Sequence, residues 1–366
     1  SAPSTNYASQ FFANTTSSIM QLRNTSNNAH VNLFTLAGGP AFAVDGTINS
    51  LNIGKGAGSL TGNTAFGESA LDDGSLSGEN NTAIGKNTLS ANTSGGQNVA
   101  VGSECLDVNT TGSTNTGVGR SALGGNTTGS ANTAIGRSAL TSNTTADNNT
   151  AVGHNALSTN STGDDNTAVG SLALDANTTG NQNTAVGQEC MTTNTTGTNN
   201  SAFGHRAAKL TTTGSSLVAI GQSALEENTT GTSNVAVGVQ ALEGNTTADN
   251  NTAVGNAALK ENTTGASNTA LGSLALDANT TGDDNTALGK GALGSNTTAS
   301  FNVAIGVDAL RDNTTGAGNV CMGVNAGLTA TGGSNVAIGN NTFRGSSNSA
   351  SNCTAVVFSC KAASPQ

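Results

Sequence analysis

The sequence predicts an all-β repeat fold, a β-solenoid or β-roll of 17-residue coils, and three observations carry that reading. A glycine recurs at a fixed 17-residue interval from Gly85 to Gly323, through fourteen intervals without a slip. A short apolar block precedes each of these glycines, and turn-forming residues lie between them. The chain also lacks the bulky side chains that one large core would need: among 366 residues there is no Trp, one Tyr and nine Phe.

The composition separates this reading from its competitors. A compact globule of this length would hold two or three domains, each needing a core filled at crystal-like density. Ala, Val, Ile and Leu can build only a thin core. Disorder is disfavoured too, because disordered chains carry high charge and proline, whereas here 9% of residues are charged and three are Pro. Apolar residues at a fixed short period point to stacked units that bury their faces on one another.

One unit shows the parts in order. Asn166-Thr167-Ala168-Val169 reads as a short strand closed by Gly170. Ala173-Leu174 is a second apolar segment. Asn177-Thr178-Thr179-Gly180 has turn chemistry, since Asn and Gly accept left-handed backbone and Thr can bond locally. Seventeen residues are too few for a helical hairpin and suit one coil of short strands, stacked at roughly 4.8 Å per coil.

Substitutions within the strand block suggest its facing. The Thr position accepts Val at Val99, Val218, Val235, Val303, Val320 and Val336, and the Ile/Val position accepts Phe66 and Phe203. These positions lie two apart and share a face, which is expected to be the interior. The position between them is almost always Ala, with Gly117 and Cys321 as exceptions, so it is expected to be buried on the opposite face. A strand buried on both faces needs another layer. A homotrimer is the expected source, with a second layer from the same chain as the alternative.

Residues 1–50 break the period and are expected to form a β-rich attachment or capping region, with strand-like alternation at 18–22 and 30–36. Residues 51–340 form the repeat shaft. Residues 341–366 are expected to be a C-terminal cap with a strand at 354–359. Gly54, Gly67 and Gly339 extend the array at uneven spacing, as capping repeats do. The first residues lack the basic start and apolar stretch of a signal peptide. The net charge of −10 and the scarcity of aromatics disfavour nucleic acid, and no apolar run is long enough to span a membrane as a helix.

The blocks Asn-Thr-Ala-Ile-Gly at 81–85 and 132–136, Ser-Ala-Leu at 121–123 and 138–140, and Asn-Thr-Thr-Gly at 126–129 resemble repeats of phage and other viral tail fibres. They are also similar to the shorter head repeats of trimeric autotransporter adhesins. The likeness covers about residues 51–340. It implies a trimeric β-prism or β-roll fibre that partners itself, joins other virion or surface proteins through an end, and meets a host receptor. The segment Phe42 to Gly54 looks like the entry to tail-fibre repeats and favours the viral version. Neither a Ser/Lys-type self-cleaving chaperone domain nor a membrane-anchor barrel is visible at the C-terminus.

No catalytic, cofactor or metal residue stands out. Cys105, Cys190 and Cys321 occupy Ala positions and read as small core fillers. Cys353 and Cys360 are spaced so that a disulfide is one option. Asp147 and Asp164 share a column with Asp165 beside them, which raises a calcium site against solvated carboxylates; Asp283 and Asp284 have no acidic partner in the adjoining coils. His154 and His205 share a column three coils apart, in company with Lys86, Arg120, Arg137 and Lys290, which reads as solvent-facing. Thr127, Thr144, Ser161, Thr178 and Thr195 form a ladder that raises an ice-binding solenoid, but on turns instead of strands. The paired acids of a glycan-cleaving enzyme are not evident. The expected function is therefore a viral tail fibre on a virion surface. A bacterial surface adhesin and an ice-binding solenoid are the alternatives, and recognition is assigned to residues 1–50, the irregular coil at 210–213, and residues 341–366.

Overall fold

The structure is a computed structural model and describes residues 11–14, 19–23, 30–35, 46–48, 51–57, 60–343 and 349–356. It is all-β, a solenoid of about 17-residue turns. Near the N-terminus, β1 (Phe11–Asn14), β2 (Ile19–Arg23) and β3 (His30–Thr35) form an antiparallel sheet. The antiparallel pair β4 (Gly46–Ile48) and β5 (Leu51–Gly54) then lies on β6 (Thr64–Glu68), the first strand of the stack. This pair covers the unpaired edge that an initial coil would otherwise expose.

From β6 onward each coil adds one strand in parallel register. β6 pairs β7 (Thr82–Ile84), and later coils repeat the step with Thr on Thr and Ala on Ala, as in Thr167↔Thr184 and Ala168↔Ala185. The last described strand, β23 (Thr354–Val356), joins by the same register, Ala337↔Ala355. The sheet is narrow, three residues per strand through most of the stack, because the chain must turn within 17 residues.

The turning is done by glycine and by left-handed residues. Gly170 has φ 139°, and a Cβ there would lie 2.4 Å from the carbonyl oxygen of Gly187 in the next coil. Its column therefore admits no side chain. Three other positions per coil adopt left-handed backbone, in one unit Leu172 (φ 60°), Leu174 (φ 51°) and Gln182 (φ 58°). Non-glycine residues rarely do so. Here the neighbouring coils hold them: the Leu172 amide donates to His154 O at 3.0 Å, and the Leu174 amide to Cys190 O at 3.0 Å.

The facing of the strand is the reverse of the sequence expectation. The central Ala is fully buried in coil after coil, as at Ala134, Ala151, Ala168 and Ala185. The flanking Thr and Ile/Val side chains point outward and are half-buried to exposed. The Ala packs inside its own coil, in one core cluster with the Ala-Leu segment. Coil thickness explains this. Two layers so close leave room for a methyl group opposite Leu, while β-branched side chains fit the outer face of a pleated strand. A buried Ala column therefore does not require a homotrimer, since the single chain supplies its own second layer.

Two columns of asparagine complete the interior. Asn166 is fully buried; its amide donates to Asn149 Oδ1 (2.9 Å) and its Nδ2 to Gly180 O (2.8 Å). Asn177, also fully buried, donates from Nδ2 to Asn160 Oδ1 (2.8 Å) and to Gly180 O (3.0 Å). Gly180 O thus uses both lone pairs, and each Asn column runs as a hydrogen-bonded ladder along the rod. A buried polar group is tolerated only when paired in this way.

Candidate functional surface

Among the described residues, the outward strand face forms a continuous apolar column along the stack. Its aliphatic column includes Ile135, Ile220, Leu271, Leu288, Met322 and Ile338, each 39–46% exposed, with Phe66 at 50%. Isolated exposed aliphatics are ordinary, whereas contiguous apolar strips are a feature that interaction surfaces share. Beside it runs the Thr/Val column in strict register. Toward the C-terminal coils the face becomes broader and more apolar. Val303, Val320 and Val336 replace Thr. In the column after the glycine, where other coils carry Lys86, Arg120, Arg137, His154 and Lys290, Val239, Val307 and Val324 are exposed, and Phe301 is 64% exposed on the opposite margin.

The sequence-derived chemical candidates resolve into structural roles. Cys105, Cys190 and Cys321 are buried, and burial pushes their thiols up to about 12, 12 and 11. A thiol so poorly ionised is a core filler, as expected. The two exceptions in the Ala column also find their cause. A Cβ on Gly117 would fall 2.5 Å from Cys105 Sγ, and a Cβ on Gly327 would fall 2.4 Å from Cys321 Sγ. Each glycine makes room for a thiol. Cys360 lies outside the described residues, and so does any bridge to Cys353.

The Asp column is spent on the backbone. Asp147 Oδ1 accepts from the Ser130 amide at 2.6 Å, Asp164 Oδ1 from the Asp147 amide at 2.8 Å, and Asp283 Oδ1 from the Ala266 amide at 2.8 Å. Ser113 and Ser215 occupy the same column and do the same work with hydroxyls. Among the described residues no group of three or more His, Cys, Asp or Glu side chains converges on a cation position. His154 and His205 are both exposed and belong to separate coils.

The turn Thr ladder is likewise internal bonding. Thr127 Oγ1 donates to Thr144 O (2.9 Å), Ser161 Oγ to Thr178 O (3.0 Å) and Thr178 Oγ1 to Thr195 O (3.0 Å). A second Thr column, the one on the strands, faces outward: Thr133, Thr150, Thr167 and Thr184.

The irregular coil at 210–213 is also an interior irregularity. Both Asn ladders break within it, at Thr211 and Leu217, which are buried. The two buried side-chain polar atoms without a hydrogen-bond partner among the described residues, Asn194 Oδ1 and Arg206 Nε, both adjoin this break. The sequence reads the Asn166 column as the start of a strand and the Asn177 column as a turn former, and neither reading contains the ladders. The available signal was that Asn persists at two columns where an exposed turn would admit Asp or Ser.

Among the described residues, no helix is long and apolar enough to cross a membrane. Comparison with protein-family models, with curated proteins and with solved structures returned no match.

Proposed function

We propose that this chain is the shaft of a structural, adhesive fibre whose copies pack together through their strand faces as a homotrimer. The observation that supports it is the apolar strand face, unbroken along a rod whose interior is already complete. At roughly 4.8 Å per coil the stack from β6 to β23 is about 80 Å long. A strip about 10 Å wide along it offers on the order of 800 Å² per copy, the size of a standard interface. Association is tightest at the C-terminal coils, where Val307 and Val324 replace charged residues.

A repeat of this kind supplies length and spacing, and its specificity lies on irregular ends and loops. Residues 1–50 and 341–366 are the regions to join other surface or virion proteins and a host receptor. The likeness of the segment Phe42 to Gly54 to the entry of tail-fibre repeats favours a virion surface over a bacterial one. Nucleic acid and membrane insertion are outside the role. The reading is tested by labelling purified virions with antibody against the chain. Labelling together with blocked adsorption supports it, and virions free of the chain overturn it.

The outward Thr column favours one alternative, an ice-binding solenoid. Threonine on strands, in register at coil spacing, is the arrangement that the turn ladder lacks. Thermal hysteresis by the purified chain would select this reading, and its absence would remove it.

A further inference from the structure

The ladder asparagines carry a second property that the fold turns into a constraint. In the 92–313 column, thirteen asparagines stand in Asn-x-Ser/Thr triplets, among them Asn126, Asn177 and Asn262, and every one is fully buried. This triplet is the acceptor pattern for N-linked glycosylation. That reaction joins Asn Nδ2 to the anomeric carbon of a sugar carried on a lipid diphosphate. The nitrogen gives up one proton, and the sugar–diphosphate bond breaks as the diphosphate leaves.

In the folded rod the ladder nitrogen cannot take part. Both hydrogens of Asn126 Nδ2 are in use, to Asn109 Oδ1 (2.8 Å) and Gly129 O (2.9 Å). The same holds for Asn262, with Asn245 Oδ1 at 3.0 Å and Gly265 O at 2.9 Å. Before folding, all thirteen are open to a transferase that acts on extended chain. A glycan placed there removes a hydrogen from a ladder bond and puts a sugar where the coil has no space. A separate set of triplets starts at exposed positions, including Asn80, Asn148, Asn199 and Asn250, where a glycan would stand off the rod.

We infer that this protein folds in a compartment where N-linked glycosylation does not precede folding, because its core is built from side chains that the reaction would consume. The inference stands apart from the fibre reading and does not depend on how many chains assemble.

The test directs the full chain into the secretory lumen of a eukaryotic cell and, in parallel, keeps it in the cytosol. Soluble, protease-resistant rod is measured, and glycan positions are read by mass spectrometry. A third arm carries alanine at the last triplet position of every ladder site, for example Ser94→Ala, Thr128→Ala and Thr179→Ala. These side chains are exposed and lie outside the ladder. The expected result is glycan on ladder asparagines in insoluble lumenal protein, abundant rod in the cytosol, and at least tenfold recovery of lumenal rod with the alanine set. Folded rod bearing glycans on ladder asparagines would overturn the inference. So would lumenal rod modified at the exposed asparagines alone, or failure of the alanine set to restore a rod that forms in the cytosol.

Discussion

The coil containing Asn166 and Asn177 and the coil containing Thr211 and Leu217 follow the same path with different interiors. In the first, two Asn side chains tie each coil to its neighbours and Leu174 fills the centre. In the second, the Leu position holds Ala208, and a leucine stands instead at 217 in the Asn column; both are buried. Apolar volume is conserved while the ladder bonds are lost. The Leu217 amide still donates to Asn200 Oδ1 at 2.9 Å, but its side chain offers the next coil no oxygen. Asn228 Nδ2 reaches Thr211 Oγ1 only at 3.5 Å.

Ion pairs span the break. Lys209 Nζ meets Glu189 Oε2 at 2.6 Å, and Arg206 Nη2 meets Glu226 Oε1 at 2.6 Å, so residues from three successive coils are tied over the place where the ladders stop. The difference teaches that the stack needs cross-coil bonds and a filled centre, and that the bonds need not be amides. Half-buried ion pairs lose part of their attraction to desolvation and are weaker ties than saturated buried amides, which makes this coil the expected weak point of the rod.

The largest effect should come from breaking a regular ladder. Asn177→Leu deletes two donations and leaves Asn194 Nδ2 without the Asn177 Oδ1 acceptor it holds at 2.8 Å. Buried unsatisfied groups cost about 1–3 kcal/mol each, so a loss of about 4 kcal/mol is expected in denaturant unfolding. An effect below about 1 kcal/mol would mean that the ladders are not the main cross-coil tie.

A packing test is next. Gly117→Ala drives a methyl group into Cys105 Sγ and should cost about 2 kcal/mol, within the usual range for overpacking. Cys105→Ala in the same chain should recover most of it. Two single changes that simply add would refute the complementary fit of this pair.

Repairing the irregular coil should have a smaller effect of opposite sign. Thr211→Asn gives Asn194 Oδ1 a donor and should stabilise by about 1 kcal/mol. Hydrogen exchange should then show protection around 205–221 approaching that of 166–182. No gain in protection would mean that the break is not the weak point.

The smallest effect is pH-dependent. The Lys209 ammonium, by hydrogen bond and charge, holds the Glu189 carboxyl below its ordinary value. A carboxylate lowered by folding contributes stability above its unfolded value of about 4.5, and loses it as pH falls through the lower folded value. Burial instead raises the Asp175 carboxyl in the regular region, so its contribution is present in acid and lost as pH rises. Acidification below about 4 should therefore reduce exchange protection at 205–221 more than at 166–182. Equal loss in both regions would contradict the assignment of the ion pairs as substitutes for the ladder.

The period, the glycine column and the turn positions were legible because each follows from a local backbone demand. A φ near 139° beside a carbonyl of the next coil leaves no choice but Gly170, and such a constraint repeats visibly. The facing of Thr167 and Val169 was not legible. A strand read one residue out of phase places the other set inside, and Val in the Thr column looks like a core position until the coil thickness is known. The ladders were hidden because Asn177 has the same residue type whether it turns in water or bonds in a core. The breaks at Thr211 and Leu217 become interpretable only beside Ala208, which shows that volume was exchanged within the coil.

The proposed association of copies through the strand face is tested directly by sedimentation equilibrium. The intact chain should run at three times its 35.6 kDa mass, and Ile135→Lys with Val307→Lys and Val324→Lys, all on or beside that face, should return it to one chain with its β circular dichroism unchanged. A 35.6 kDa species for the unaltered chain would contradict association through this face, as would a trimer indifferent to the three lysines.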